Sequence, residues 1–267
     1  MTKIRAGDVD IAYRLENPPV DGRPWLVLSH ALATDHTLWD AQAAAFARAC
    51  NVVRYDLRGH GQSSAPSGEY RLEQLADDLK SVLDALRITR CHFVGISLGG
   101  MIGQMAALRF PLRFASLTLA DTTSRTPAEM RPTWEQRIAA VKSERGMAAV
   151  APSTLERWFT PAFRAREPDV VTRIGMLIRA TPINGYIGCA HAVMRLNLTA
   201  RLQTISCPVL VIVGEDDTGT PPIMAEEIVR TIPGARLERI QEAAHLSNIE
   251  QAGRFNAVLG DFLTQVR

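Results

Sequence analysis

The sequence predicts an α/β fold, a mostly parallel, doubly wound sheet with an inserted helical cap. Three observations carry that expectation. Short apolar runs alternate with stretches of helical periodicity, and such alternation builds parallel sheets. One run, Cys91-His92-Phe93-Val94-Gly95-Ile96, passes through Ser97-Leu98-Gly99-Gly100 into an apolar helix, giving GxSxG at a strand-to-helix turn. The alternation stops between Thr122 and Gln203, where no buried strand is legible, and then resumes.

The elements follow in order. Ile4 and Ala6, then Val9, Ile11 and Tyr13, alternate around Asp8 and predict an antiparallel hairpin from Thr2 to Glu16. After the turn-rich Asn17 to Gly22, Trp25 to Leu28 is apolar at consecutive positions, as a strand covered on both faces requires. A helix is expected over Leu38 to Cys50 and a strand over Asn51 to Tyr55. Asp56-Leu57-Arg58-Gly59-His60-Gly61-Gln62-Ser63 is a turn, expected to hold an internal Asp/Arg pair. Leu72, Leu75, Leu79, Val82, Leu83 and Leu86 share one helix face. Beyond the serine turn, Pro111 ends a helix and Ala115 to Ala120 forms the next strand, closing at Asp121. The resumed pattern gives a strand Val209 to Val213, a helix Pro222 to Thr231, a strand Arg236 to Ile240 and a last helix Ile249 to Val266. One core, 1–121 with 204–267, and a helical cap, 122–203, are therefore expected.

Composition narrows the function classes. Lys and Arg number 30 against 28 Asp and Glu, with no basic cluster, so neither nucleic acid nor a membrane surface is an expected partner. The start, Met1 to Asp8, lacks the apolar stretch of a secretion signal, and a cytoplasmic protein is expected. Cys50, Cys91, Cys189 and Cys207 stand far apart, which predicts buried free thiols rather than a metal site. Phosphate-loop, HExxH and dinucleotide glycine patterns are missing from the sequence. Neither cofactor nor metal is expected.

Acyl-transfer chemistry has better support. A serine hydroxyl is a weak nucleophile until a base lies within reach and an acid fixes the base's tautomer. Gly95 and Gly99 flank Ser97 with the small residues a strained turn demands, and the following helix aims its positive end at a developing oxyanion. His245 is the histidine that follows the last two predicted strand ends, and it is the candidate base. His30, His36, His60, His92 and His191 are expected to be structural or solvated. Three carboxylates at strand ends, Asp121, Asp216 and Asp217, compete for the acid. The amide of Leu98 and one from the loop after Trp25 to Leu28, with Leu32 as candidate, would form the oxyanion hole.

DxRGHGxS at Asp56 to Ser63, GxSxGG at Gly95 to Gly100 and the loops around Asp217 and His245 resemble the α/β-hydrolase family along the whole chain. Within it, Gly95 to Gln104, Ala243 to Glu250 and Ser29-His30-Ala31-Leu32 resemble the 3-oxoadipate enol-lactonases, with His30 and Ala31 departing from the pattern of their oxyanion loop. The resemblance implies that Asp217, spaced before Thr220-Pro221 as in GxxDxxTP, is the acid, with Asp121 the alternative. It also implies a small anionic lactone as substrate, and Arg131 and Trp134 are the residues expected to receive it. A carboxylesterase, a carbon-carbon bond hydrolase of ring-fission products and a receptor-like binder with little turnover would use the same fold.

Overall fold

Strand-length apolar runs alternate with helices along the chain in the computed structural model, which describes residues 1–266. Thr2–Ala6 (β1) and Val9–Leu15 (β2) pair antiparallel around Gly7, whose φ of 57° makes the tight turn. Trp25–Ser29 (β3) is followed by a short helix, Asp40–Phe46 (α1), then Asn51–Tyr55 (β4) and Leu72–Ala85 (α2). Cys91–Ile96 (β5) runs into Leu98–Arg109 (α3), and Phe114–Ala120 (β6) closes the first half. Five helices intervene: Arg131–Val141 (α4), Ala151–Trp158 (α5), Pro161–Arg166 (α6), Pro168–Ala180 (α7) and Ile183–Met194 (α8). The sheet is completed by Val209–Gly214 (β7), Pro222–Thr231 (α9) and Arg236–Ile240 (β8), and the chain ends with Ser247–Glu250 (α10) and Ala252–Gln265 (α11).

The eight strands form one sheet in the order β1-β2-β4-β3-β5-β6-β7-β8. Only the pairs involving β2 are antiparallel. β4, β5 and β7 are buried at every position, because helices cover both faces and leave no position for a polar outer row. β5 lies near the centre, so the turn that follows it emerges at the carboxyl edge, where ligands bind in sheets of this kind.

Two expected helices differ from the sequence reading. The one placed over Leu38 to Cys50 starts as a single 3₁₀ turn at His36–Trp39, capped by the Asp35 carboxylate, and its regular part is only α1. The last one is broken at Gln251. The break follows from Glu250, whose buried carboxylate turns inward to accept from the Thr160 amide and hydroxyl and from the Ala244 amide. The expected Asp/Arg pair also does not form. Asp56 accepts from the backbone and ring of His36, whereas Arg58 grips Asp78 through two bonds of 2.8 Å and reaches Asp8. Cys50, Cys91 and Cys189 are buried, whereas Cys207 is only partly so.

The residues between β6 and β7 form no strand of the sheet. Part of their seam with the core is close backbone contact. A Cβ at Gly185 of α8 would lie 1.9 Å from the Gly59 carbonyl oxygen, a distance that excludes any side chain, and the Tyr70 amide donates to the Gly188 carbonyl. Among the described residues no helix is long and apolar enough to cross a membrane.

Candidate active site

Ser97 sits where β5 must reverse into α3 within one residue. Its φ of 54° and ψ of −118° are strained for a residue with a side chain, a cost of about 1–3 kcal/mol that surrounding packing must hold. The glycines around it are dictated by space. A Cβ at Gly95 would lie 2.3 Å from the Gly99 carbonyl oxygen, and one at Gly99 would lie 2.2 Å from that of Ser29.

The hydroxyl is met by the histidine loop beyond β8. Ser97 Oγ lies 2.9 Å from His245 Nε2, and His245 Nδ1 lies 2.8 Å from Asp217 Oδ2. Asp217 is fixed in turn, accepting from the amides of Gly219 and Thr220 and from the Thr220 hydroxyl. Burial raises the pKa of its carboxyl, but the His245 charge and these hydrogen bonds outweigh burial and leave it below the ordinary carboxylate value. It is thus an acceptor, so His245 carries its proton on Nδ1 and offers a lone pair at Nε2 to the serine proton. For His245 burial lowers the pKa, while the charge and hydrogen bond of Asp217 more than reverse it.

Asp121 occupies a different place. Its Oδ1 accepts from the Gly214 amide and its Oδ2 is bonded to the Ser247 hydroxyl. Burial, followed by the negative charge of Asp217, pushes its pKa up to about 8, so at neutral pH it is the protonated member of the pair. Asp216 stays on the surface.

Leu98 is the first residue of α3, where an amide has no acceptor within the helix. Leu32 lies on the loop after β3 and, with Leu98, Ser97 and His245, borders one cavity. Two buried histidines lock that loop. His30 Nε2 accepts from the Leu57 amide while its Nδ1 donates to the Ala31 carbonyl, and His60 Nε2 accepts from the Ala33 amide. Burial holds His60 down to about 3 and His30 below the ordinary imidazole value, so both remain neutral and keep the tautomers these bonds require.

The match to known proteins is extensive. Residues 24–252 fit the family model described as alpha/beta hydrolase fold. The chain belongs to the α/β-hydrolase family. It is 37% identical to 3-oxoadipate enol-lactonase 2 of Acinetobacter baylyi over 88% of this chain and 86% of that protein. The crystal structure of the enol-lactonase from Burkholderia xenovorans LB400 superposes with a TM-score of 0.94 at 36% identity, covering 98% of this chain and all of that one. A hydrolase from Pseudomonas aeruginosa PA01 matches with a TM-score of 0.92 at 40% identity, covering 98% of this chain and 97% of that one.

In this α/β-hydrolase a cavity of about 130 Å³ is bordered by Ser97, Leu98, Leu32 and His245 on one side. Helices α4, α5 and α8 supply the other side. Trp134 borders it, but Arg131 does not. Arg131 is the first residue of α4, exposed to solvent and paired with Glu135, so its candidacy as the anion receptor is corrected. The guanidinium groups that do border the cavity are Arg125, Arg137 and Arg157. Arg125 is satisfied by both Glu227 oxygens at 3.0 Å. Arg137 lies 4.8 Å over the Trp134 ring, and among the described residues neither it nor Arg157 has a carboxylate partner. Trp158, which the sequence did not single out, stacks on His245 with ring centroids 6.2 Å apart. Among the described residues no group of three or more His, Cys, Asp or Glu is arranged to hold a metal ion.

Proposed function

We propose that this chain is a lactone hydrolase that opens 3-oxoadipate enol-lactone to 3-oxoadipate, the reaction of the beta-ketoadipate pathway of aromatic catabolism, by a Ser-His-Asp mechanism. The observation that carries the reading is the line Ser97–His245–Asp217, with contacts of 2.9 and 2.8 Å, beneath a cavity whose opposite wall holds unpaired guanidinium groups. The likeness to enol-lactonases at 36% and 37% identity over most of both chains supports the choice of lactone.

In this mechanism Ser97 attacks the ring carbonyl as His245 takes its proton, and the amides of Leu98 and Leu32 hold the oxyanion. Asp217 keeps the imidazole oriented and stabilises its charge, while Asp121 stays neutral. His245 then gives the proton to the departing enolate oxygen. Because an enol relaxes to a ketone, the leaving group needs little assistance, and binding serves mainly to orient the ring. Arg137, with the Trp134 ring beneath its guanidinium, receives the acetate side chain, which fixes which carbonyl faces Ser97. Water cleaves the acyl-enzyme with His245 as base. The helices of 122–203 act as a cap that excludes bulk solvent.

The test is a spectrophotometric assay of enol-lactone opening beside p-nitrophenyl acetate hydrolysis, in wild type and Ser97→Ala. The lactone is expected to have the higher kcat/KM, and Ser97→Ala to lose both activities. A preference for the simple ester would make the chain a carboxylesterase and overturn the reading.

A further inference from the structure

The cavity holds one more cation than the substrate proposed above requires. That lactone is a monoanion, and its side chain is met by Arg137. Arg157, at the last turn of α5, borders the same cavity. Among the described residues its guanidinium has one hydrogen bond, a 3.3 Å contact donated to the Thr154 hydroxyl. Removing a guanidinium from water without a carboxylate is costly. Burial, followed by the positive charge of Arg137, pushes the pKa of Arg157 down to about 10, so it remains charged at neutral pH. Two unpaired cations facing one cavity form a site for two negative charges.

Their positions differ. Arg137 lies over Trp134, on α4. Arg157 precedes Trp158, the ring stacked on His245, and its charge acts on the His245 imidazole. It therefore stands toward the reacting end of the cavity. Hydrolysis places a new charge at that end: water adds to the acyl carbon, the ring C–O bond breaks, the enol becomes a ketone, and the released acid loses a proton to solvent. The monoanion has become a dianion.

We propose that Arg157 is a second anion receptor, reserved for the carboxylate that ring opening creates, and that the cavity consequently selects dicarboxylates over monocarboxylates of equal chain length. The proposal rests on the hydrolase reading for the origin of the second charge, but its binding prediction does not depend on turnover. Arg137 anchors the end common to substrate and product, and Arg157 distinguishes them. The cost of this arrangement is product inhibition, because the product makes one charge-assisted contact that the substrate lacks.

The experiment is calorimetric titration of Ser97→Ala protein with adipate and with hexanoate, six-carbon chains with two carboxylates and with one. Adipate is expected to bind roughly ten- to a hundredfold more tightly, the range of one charge-assisted pair. Arg157→Gln should abolish that preference while leaving hexanoate affinity within about twofold, and Arg157→Lys should restore part of it. Circular dichroism and a melting temperature near that of the parent establish that the variants are folded. Equal affinities for the two acids in the Arg157 protein overturn the proposal without any variant, and so does a preference that survives Arg157→Gln. Failure to open the enol-lactone would sink the functional reading yet leave this titration fully interpretable.

Discussion

Gly99→Ala isolates the geometry of the serine turn from its chemistry, since it adds one methyl group and removes no reacting atom. The new Cβ would lie 2.2 Å from the Ser29 carbonyl oxygen, against 3.4 Å for an ordinary contact, so something must recede by about 1.2 Å. The next neighbours are also backbone, the Ser29 carbonyl carbon and the His30 carbonyl oxygen, and no side chain can swing aside. The segment that must yield therefore leads from β3 into the loop of Leu32, whose amide belongs to the proposed oxyanion hole. A displacement near 1 Å at a catalytic donor costs about a hundredfold in rate. The overpacking itself should destabilise by about 1–3 kcal/mol. KM should change little, because Arg137 and Trp134 lie on α4, away from the moved loop. Steady-state kinetics with enol-lactone and a thermal melt measure both effects. Gly253→Ala is the control, because α11 leaves open space around that position. If Gly99→Ala keeps kcat within about threefold of wild type and melts unchanged, the claim that this glycine sets the oxyanion geometry is wrong.

The remaining predictions test the charges around His245. Asp217→Asn should lower kcat by about four orders of magnitude by releasing the imidazole tautomer, whereas Asp121→Asn, which mimics a carboxyl already neutral at pH 7, should cost less than about tenfold. Equal losses in the two variants, read from kcat, would move the acid. The acid limb of kcat/KM should fall above the ordinary imidazole value of 6.5, because His245 must be neutral to act as base and Asp217 raises its pKa; a limb below 6.5 in a pH profile would contradict the sign. Arg137→Gln should raise KM for the lactone by roughly ten- to a hundredfold while leaving KM for uncharged p-nitrophenyl acetate nearly unchanged, and equal effects on the two substrates would remove Arg137 from anion recognition.

The sequence was most informative where chemistry and backbone constraint coincide. Ser97 was legible because a strained turn needs glycines at fixed offsets, and His245 because a small-residue loop follows a strand run. The buried strands were legible for a related reason, since double-sided burial writes itself as consecutive apolar residues. The anion receptor was not. Arg131 and Arg137 stand three positions before and after Trp134, one helical turn in each direction, so periodicity assigns both to the tryptophan's side. Which one meets the cavity depends on how α4 lies across the core, and its first turn points to solvent. Trp158 was hidden because its partner, His245, is far away in sequence, and Arg157 because the cavity it borders exists only once distant segments have folded together. His30 and His60 share that difficulty. Their task, presenting a neutral nitrogen to a backbone amide, leaves no spacing pattern. Similarly, the Asp56 and Arg58 pairing failed because each residue finds a better buried partner in a distant segment.

The central claim is that Ser97 becomes covalently acylated, and intact-protein mass spectrometry tests it most directly. Protein quenched during turnover of p-nitrophenyl acetate, or treated with a fluorophosphonate, should carry a single adduct that peptide mapping assigns to Ser97 and that Ser97→Ala lacks. An adduct on another residue, or full hydrolytic activity retained in Ser97→Ala, would contradict the account.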